Sequence, residues 1–265
     1  MMSMKTTMRI AAATALALVG AVRAEVKTKV IDYTQGDTPL QGFLAWDDAA
    51  QEKRPGVLVI HEAWGENEHA RNQALRLAKA GYVGFALDMY GNGKVATHLD
   101  DAEAFMHEAS KDAAVLRARF EAALKVLQAQ PQVAPQKIGA VGYCFGGGVA
   151  LDMARAGEPL AAVSTFHAAM PPPTEGPPPG KVKPRILINT GAADPLVPKA
   201  KVEAFAKALR DAGAKVTVIA YPNAKHSFTN PDANKVGMEA LKYDADADRK
   251  SWDATLKMFR EAFKT

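Results

Sequence analysis

The chain has 265 residues, of which 48% are hydrophobic and 23% are charged, a composition typical of a packed α/β domain and not of a disordered chain. Its formal charge is +4, but the first 24 residues hold three of the positive charges and no acidic residue, which leaves the remainder close to +1. No basic cluster with interleaved aromatic residues follows, so we expect no nucleic-acid partner.

The first 24 residues have the pattern of a secretory signal peptide. A basic segment, MKTTMR, precedes the apolar stretch IAAATALALVGAV, and small residues at Val22 and Ala24 predict cleavage after Ala24. About 13 apolar residues are few for a membrane span of about 20, although an uncleaved anchor is the alternative. We therefore expect a periplasmic or secreted protein in which residues 25–265 form a single domain that is free of the membrane.

Strand-like and helix-like segments alternate along the mature chain. In chain order they are a hairpin of VKTKVIDY and LQGFLAW, the strand 55–60, a helix over 67–79, the strand YVGFALD, a long helical region with one break near 110–111, the strand KIGAVG, the helix GGGVALDMARA, the strand LAAVSTF, a proline-rich loop, the strand RILINTG, the helix PKAKVEAFAKALRDAG, the strand KVTVIAY and a helix over about 246–263. This alternation predicts an α/β fold, with a mainly parallel sheet covered by helices on both faces.

The only cysteine, Cys144, falls between a predicted strand and a predicted helix, in the sequence GYCFG. This is the G-x-C-x-G pattern of a nucleophile elbow with cysteine in place of serine. Glycines two places on either side permit the close approach of strand and helix, and the helix N-terminus favours a thiolate. The alternative is a small buried hydrophobic residue, which is the commonest environment of a free cysteine.

A nucleophile needs a base and a group that orients the base. In the α/β-hydrolase arrangement the acid and then the histidine follow the nucleophile. Asp194 comes after the strand RILINTG and His226 comes after the strand KVTVIAY, so we predict a Cys144–His226–Asp194 triad. Taken alone, Asp194 is equally typical of a helix cap, and His226 of a surface loop.

Acyl transfer also requires two amides that stabilise an oxyanion. By position these are the amide of Phe145, which follows the nucleophile, and that of Ala63, in the loop after the strand 55–60. The dipeptide His61–Glu62 in that loop is not a zinc motif, because Gly65 occupies the place of the second histidine. We expect neither a metal nor a cofactor.

The segments HEAWGEN, LDMYG, GYCFGGG, NTGAADPLVP and HSF together resemble the dienelactone hydrolase family of the α/β-hydrolase fold. The resemblance covers nearly all of the mature chain. It implies hydrolysis of an ester or lactone, of the carboxymethylenebutenolidase type, through an acyl-cysteine intermediate. It also implies that Glu62 pairs with the resting Cys144 and releases it when substrate arrives. The alternative is that the Glu62 carboxylate only caps nearby backbone amides of the loop.

Two positions depart from the family pattern. Members that act on carboxylated lactones hold the substrate carboxylate with arginines, but this chain has Asn92 and Lys94 near the first position and Asn230 at the second. A neutral amide cannot form a bidentate charged clamp, so dienelactone itself is not the expected substrate. The substrate-binding candidates, each also compatible with packing, are Trp64, Tyr90, His167 and Phe228.

Three functions remain open from the sequence. The first is a monomeric hydrolase of a small ester or lactone, including a carboxylesterase of broad specificity. A thioesterase or acyl transferase would use the same residues. A non-catalytic exported binding protein on a hydrolase scaffold would lack a triad residue or the oxyanion loop, and this chain has candidates for all of them.

Overall fold

A single sheet runs through the computed structural model, which describes residues 25–49, 52–171, 180 and 182–264. The predicted leader and most of the proline-rich loop lie outside these residues. The eight strands are β1 Val26–Gln35, β2 Thr38–Asp47, β3 Arg54–Ile60, β4 Val83–Leu87, β5 Val133–Tyr143, β6 Ala162–Phe166, β7 Arg185–Gly191 and β8 Lys215–Tyr221.

The described residues form six α-helices, five between strands and one after the last strand. They are α1 Glu68–Lys79, α2 Leu99–Ser110, α3 Ala113–Gln128, α4 Phe145–Ala156, α5 Lys199–Asp211 and α6 Ala245–Ala262. The predicted break in the long helical region separates α2 from α3, and the Asp112 carboxylate caps α3 by accepting from the amides of Ala114 and Val115. A short 3-10 helix, Ala233–Val236, was not predicted.

The strand order is β1-β2-β4-β3-β5-β6-β7-β8. The predicted hairpin forms β1 and β2, which pair antiparallel to each other, and β2 pairs antiparallel to β4. All the other neighbours are parallel. Because parallel strands end at the same edge of the sheet, the loops after β3, β5, β6, β7 and β8 lie next to one another there.

Alternate residues of the strands enter separate hydrophobic clusters on the two faces of the sheet. Leu58 and Ile60 pack with residues of α3, α4 and α5, whereas Val57 and Val59 pack with residues of α1 and α6. Helices therefore cover both faces of the sheet around its central strands.

The structure starts β5 at Val133, earlier than the predicted strand KIGAVG. Pro55 pairs with Ala134 but Gly56 pairs with Ile138, so the register shifts between these two positions. The intervening residues of β5 bulge out of the ladder. The start of this strand therefore shows neither an alternating nor a continuous apolar pattern in the sequence.

Candidate active site

Cys144 lies at the turn between β5 and α4 in a backbone conformation that few L residues adopt. Its φ is 50° and its ψ is −116°, a strain of about 1–3 kcal/mol, and its side chain is partly exposed. A Cβ at Gly142 would lie 2.2 Å from the Gly146 carbonyl oxygen, and one at Gly146 would lie 2.4 Å from the Ile60 carbonyl oxygen. The turn that presents the thiol therefore requires glycine at both places.

Asp194 follows β7 and His226 follows β8, so both lie at the same edge of the sheet as Cys144. Asp194 Oδ2 is 2.8 Å from Nδ1 of His226. Asp194 Oδ1 accepts hydrogen bonds from the amides of Leu196 and Val197 at 2.8 and 3.2 Å. The local turn thus orients the carboxylate toward the imidazole.

Cys144 is the second charged neighbour of the His226 ring. Burial favours the neutral imidazole and lowers the pKa of His226. The negative charge of the Cys144 thiolate, together with hydrogen bonds to Asp194 and Cys144, outweighs burial and raises the pKa to about 10. The structure therefore brings the three predicted triad residues together at one edge of the sheet.

The loop after β3 places Ala63 beside the elbow. The Gly146 amide donates to the His61 carbonyl oxygen at 3.0 Å, and the Tyr90 hydroxyl donates to the Ala63 carbonyl oxygen at 2.9 Å. Within the described residues, neither the Ala63 amide nor the Phe145 amide donates a hydrogen bond. Two free amides on adjoining loops are what an oxyanion hole requires.

His61 supports this loop, a role that sequence analysis missed. Its Nε2 accepts from the Met89 amide at 3.2 Å, so its Nδ1 carries the hydrogen and donates to the Glu62 carbonyl oxygen at 2.5 Å. Its ring packs against Phe145 and Tyr90. Burial lowers the pKa of His61, which keeps the ring neutral as this pattern requires.

Glu62 is buried, and both of its carboxylate oxygens accept hydrogen bonds. Ser227 Oγ donates to Oε1 at 2.7 Å, and Asn230 Nδ2 donates to Oε2 at 2.6 Å. Within the described residues its hydrogen bonds therefore go to the loop that carries His226, and not to Cys144. In the sequence, Asn230 marks only the place of a missing arginine, and Ser227 is only the middle residue of the segment HSF. No local pattern relates either residue to Glu62.

The substrate-binding candidates occupy different environments. Trp64 is partly exposed and lines a cleft of about 480 Å³ together with Asn230 and residues 96–99. Tyr90 is buried and lines a cleft of about 590 Å³ beside α2 and α3. Burial, and then the charge of Cys144, raises the pKa of the Tyr90 hydroxyl. Neither cleft includes Cys144 in its lining. Trp64 is the candidate best placed to meet a ligand, because the other three candidates are buried and Trp64 is partly exposed.

His167 and Phe228 are both fully buried near His226. The His167 ring centroid lies 5.1 Å from that of His226 and 5.2 Å from that of Phe228. Its Nε2 is 2.9 Å from Thr229 Oγ1. Burial, and then the positive charge of His226, holds the pKa of His167 well below its usual range. His167 therefore packs against the His226 ring, and Phe228 packs against His167.

Other kinds of site find no support in the described part of the chain. No group of three or more His, Cys, Asp or Glu side chains there could hold a metal ion. None of the helices in these ranges has both the length and the apolar character that a bilayer span requires.

Residues 40–263 match the sequence profile of the dienelactone hydrolase family. The chain belongs to this family. An uncharacterised Caenorhabditis elegans protein is 39% identical over 150 residues, which cover 56% of this chain and 94% of the relative. A Synechocystis protein, provisionally named carboxymethylenebutenolidase, is 26% identical over 253 residues, which cover 91% and 99% of the two chains.

A solved structure shares the architecture closely. It is a dienelactone hydrolase-like promiscuous phosphotriesterase from metagenomic libraries, 38% identical, with a TM-score of 0.86 over 90% of this chain and 99% of the other. The predicted α/β-hydrolase fold and the predicted family are therefore confirmed. As a member of the dienelactone hydrolase family, the chain is an enzyme that hydrolyses esters or lactones.

Proposed function

We propose that the protein hydrolyses a carboxylic ester or lactone through an acyl-cysteine intermediate on Cys144. The observation that supports this proposal is the convergence of three loops on one imidazole. Asp194 lies 2.8 Å from Nδ1 of His226, and the charge of Cys144 raises the pKa of that ring to about 10. A nucleophile, a base and an orienting acid thus meet beside two free amides.

In acylation the Cys144 thiolate attacks the carbonyl carbon and forms a C–S bond, while the carbonyl oxygen becomes an oxyanion. The amides of Ala63 and Phe145 stabilise that charge. The tetrahedral intermediate then collapses, the C–O bond breaks, and the imidazolium of His226 gives its proton to the leaving alkoxide. With a lactone, the alcohol formed remains part of the acyl group.

In deacylation the neutral His226 removes a proton from water, and the hydroxide adds to the thioester carbon. Collapse breaks the C–S bond, releases the acid and restores the thiolate beside the imidazolium. Asp194 holds the ring in one tautomer through both steps, because its Oδ2 accepts the hydrogen of Nδ1.

The triad is tested with a short aryl ester. Cys144→Ala should reduce turnover to the background rate, and His226→Ala should reduce kcat by roughly 10²- to 10⁴-fold. Intact mass spectrometry of the wild type with a slowly hydrolysed ester should show one acyl group on Cys144. Unchanged turnover in Cys144→Ala, with a native circular-dichroism spectrum, would refute the mechanism.

We propose neutral esters rather than carboxylated lactones as substrates. The position at which a charged clamp is expected holds Asn230, which is buried and bound to the Glu62 carboxylate. The backbone N–H of Asn92 donates a hydrogen bond to the carbonyl oxygen of Pro39 at 2.7 Å, which places this residue beside β2. For two esters matched in size, we expect a higher kcat/KM for the neutral one than for the carboxylated one.

Phosphotriester hydrolysis is a second candidate, favoured by the 38% identical relative described as a promiscuous phosphotriesterase and by the neutral Asn230 beside the site. Attack of the thiolate on phosphorus would form a P–S bond and break the P–O bond to an aryl oxide, which His226 would protonate. Water deprotonated by the neutral His226 would then add to phosphorus, break the P–S bond, release the dialkyl phosphate and restore the thiolate. A dialkyl aryl phosphate should then be hydrolysed by the wild type and not by Cys144→Ala. Hydrolysis that persists without the thiol would assign that activity to another site.

We also propose that the protein is exported and monomeric. The leader pattern of residues 1–24 supports export. The scattered distribution of exposed large hydrophobic side chains in the described residues, Val30, Val95 and Leu196, supports a monomer. N-terminal sequencing of the periplasmic protein should begin at Glu25, and light scattering should give the mass of one chain.

A further inference from the structure

Glu62 joins two loops that the proposed mechanism needs in a fixed relation. It immediately precedes Ala63, whose amide is a proposed donor to the oxyanion, and its carboxylate accepts from Ser227 and Asn230. Ser227 is the residue after His226. One side chain therefore connects the amide that stabilises the oxyanion with the loop that carries the base.

Within the described residues the His226 loop has further anchors, since Asp194 holds the His226 ring and Thr229 Oγ1 lies 2.9 Å from Nε2 of the buried His167. The His226 amide donates to the Ala240 carbonyl oxygen at 3.1 Å, and the Lys242 amide donates to the His226 carbonyl oxygen at 3.0 Å. Ser227 adopts a φ of 52°, a region that few residues other than glycine occupy. Its hydroxyl bond to Glu62 is the contact that ties this turn to the loop after β3.

Helix α1 supports the carboxylate from behind. Gln73 Oε1 accepts from the Tyr143 hydroxyl and from Arg76, each at 3.2 Å, so Gln73 Nε2 is a donor and His69 Nε2, 3.2 Å away, must accept from it. The hydrogen of the neutral His69 ring is therefore on Nδ1, which faces Glu62 Oε2 at 3.6 Å. The Nδ1–H group of His69 therefore directs its positive end toward the Glu62 carboxylate, which already accepts hydrogen bonds from Ser227 and Asn230.

We propose that Glu62 is a positioning residue, a fixed bridge that holds the oxyanion loop and the His226 loop in register throughout the reaction. This inference rests on the proposed acyl-cysteine function. It differs from the pairing with Cys144 that the family resemblance implies, because the bridge needs two acceptor contacts and no transfer of charge to or from the thiol.

Glu62→Gln and Glu62→Ala separate the two roles. In Glu62→Gln the side-chain carbonyl oxygen can accept from Asn230, and the Ser227 hydroxyl can rotate to accept from the new amide, so the bridge survives without its charge. Glu62→Ala removes the bridge. We expect kcat within about threefold of wild type for Gln and a loss of roughly 100-fold for Ala, since a displacement of about 1 Å at the reacting groups has an effect of that size.

Separate rates of acylation and deacylation distinguish positioning from control of the resting thiol. A bridge that places both the amide and the base affects both steps, so burst kinetics of Glu62→Ala should show both rates reduced. The double variant Glu62→Ala/Ser227→Ala should lose no more than the larger single loss, because both substitutions remove the same contact. Glu68→Ala, an exposed glutamate at the start of α1, is the control and should keep wild-type rates.

If Glu62→Gln loses as much activity as Glu62→Ala, or if only acylation slows, the bridge is refuted. The same holds if Ser227→Ala, the alternative variant should Glu62→Ala fail to fold, keeps wild-type rates. Failure of the proposed function is separately visible, since it would leave no acyl group on Cys144 in the wild type.

Discussion

At the scale of single residues, the charge of Cys144 governs the protonation of His226. Burial alone would drive the ring to its neutral form, and the thiolate and Asp194 together reverse that preference. In the proposed mechanism an imidazolium protonates the leaving group, so this pairing would supply the acid before substrate arrives. The neutral His167 ring, 5.1 Å away, adds no positive charge that would oppose it.

Replacing the thiol with a hydroxyl should therefore change the titration of His226. In Cys144→Ser the neutral hydroxyl removes the negative charge that raises the pKa, while burial continues to lower it. We expect the midpoint to move from about 10 in the wild type to a lower pH. NMR titration of the ring protons measures it. The same midpoint in both proteins would mean that the charge of Cys144 does not raise the pKa of His226.

The shared location of the three predicted triad residues at one edge of the sheet could be predicted because each of them follows a recognisable strand. Sequence reasoning did not find the support around Glu62, because His69, Ser227 and Asn230 come together only in the folded chain. His69 and Gln73 are four residues apart on α1 and share a face, but that spacing is equally typical of an ordinary buried face.

At the scale of elements, the turn between β5 and α4 depends on the lack of a side chain at Gly146. A Cβ there would lie 2.4 and 2.5 Å from the carbonyl oxygens of Ile60 and His61, which are backbone atoms that cannot move without shifting β3. The amide of Gly146 also donates to the His61 carbonyl oxygen. The elbow and the oxyanion loop are thus packed backbone to backbone.

Gly146→Ala should separate these two loops and displace the Phe145 amide. We expect kcat for an aryl ester to fall by roughly 100-fold. Gly213→Ala is the matched control, because its φ of 87° gives backbone strain but no atom lies within 4 Å of the new Cβ. That control should lose about 1–2 kcal/mol of stability and retain its kcat. Equal loss of kcat in both variants would contradict the argument.

The order and type of these elements could be predicted because apolar runs and helical periodicity are local properties. The hairpin, the break between α2 and α3 and the start of α4 after Cys144 all followed from such patterns. The early start of β5 did not, because its bulged residues pair through a register shift that only the neighbouring strand defines.

At the scale of the whole molecule, α6 completes the hydrophobic cluster on one face of the sheet. Phe259 is fully buried there and packs against the rings of Tyr82 and Phe263. Arg76 of α1 pairs with Asp248 of α6 at 2.9 Å and lies over the Trp252 ring. The last helix therefore joins the layer that also supports Glu62 through α1.

Phe259→Ala should lower the free energy of unfolding by about 3–5 kcal/mol, the usual cost of removing a buried phenylalanine. Urea denaturation followed by circular dichroism measures the change. Lys257→Ala, on the exposed side of the same helix, should change it by less than about 0.5 kcal/mol. A loss below 1 kcal/mol for Phe259→Ala would show that α6 contributes little to the core.

The two hydrogen bonds of Glu62 join residues 165 and 168 positions apart in the chain. Such distant partners meet only after most of the sheet has assembled, because closing so large a loop carries an entropy cost that earlier strand pairing must offset. During refolding, ester turnover should consequently reappear after the far-ultraviolet signal of helices and strands. Enzymatic rate is thus a more stringent reporter of the finished tertiary structure than any spectroscopic measure of secondary structure.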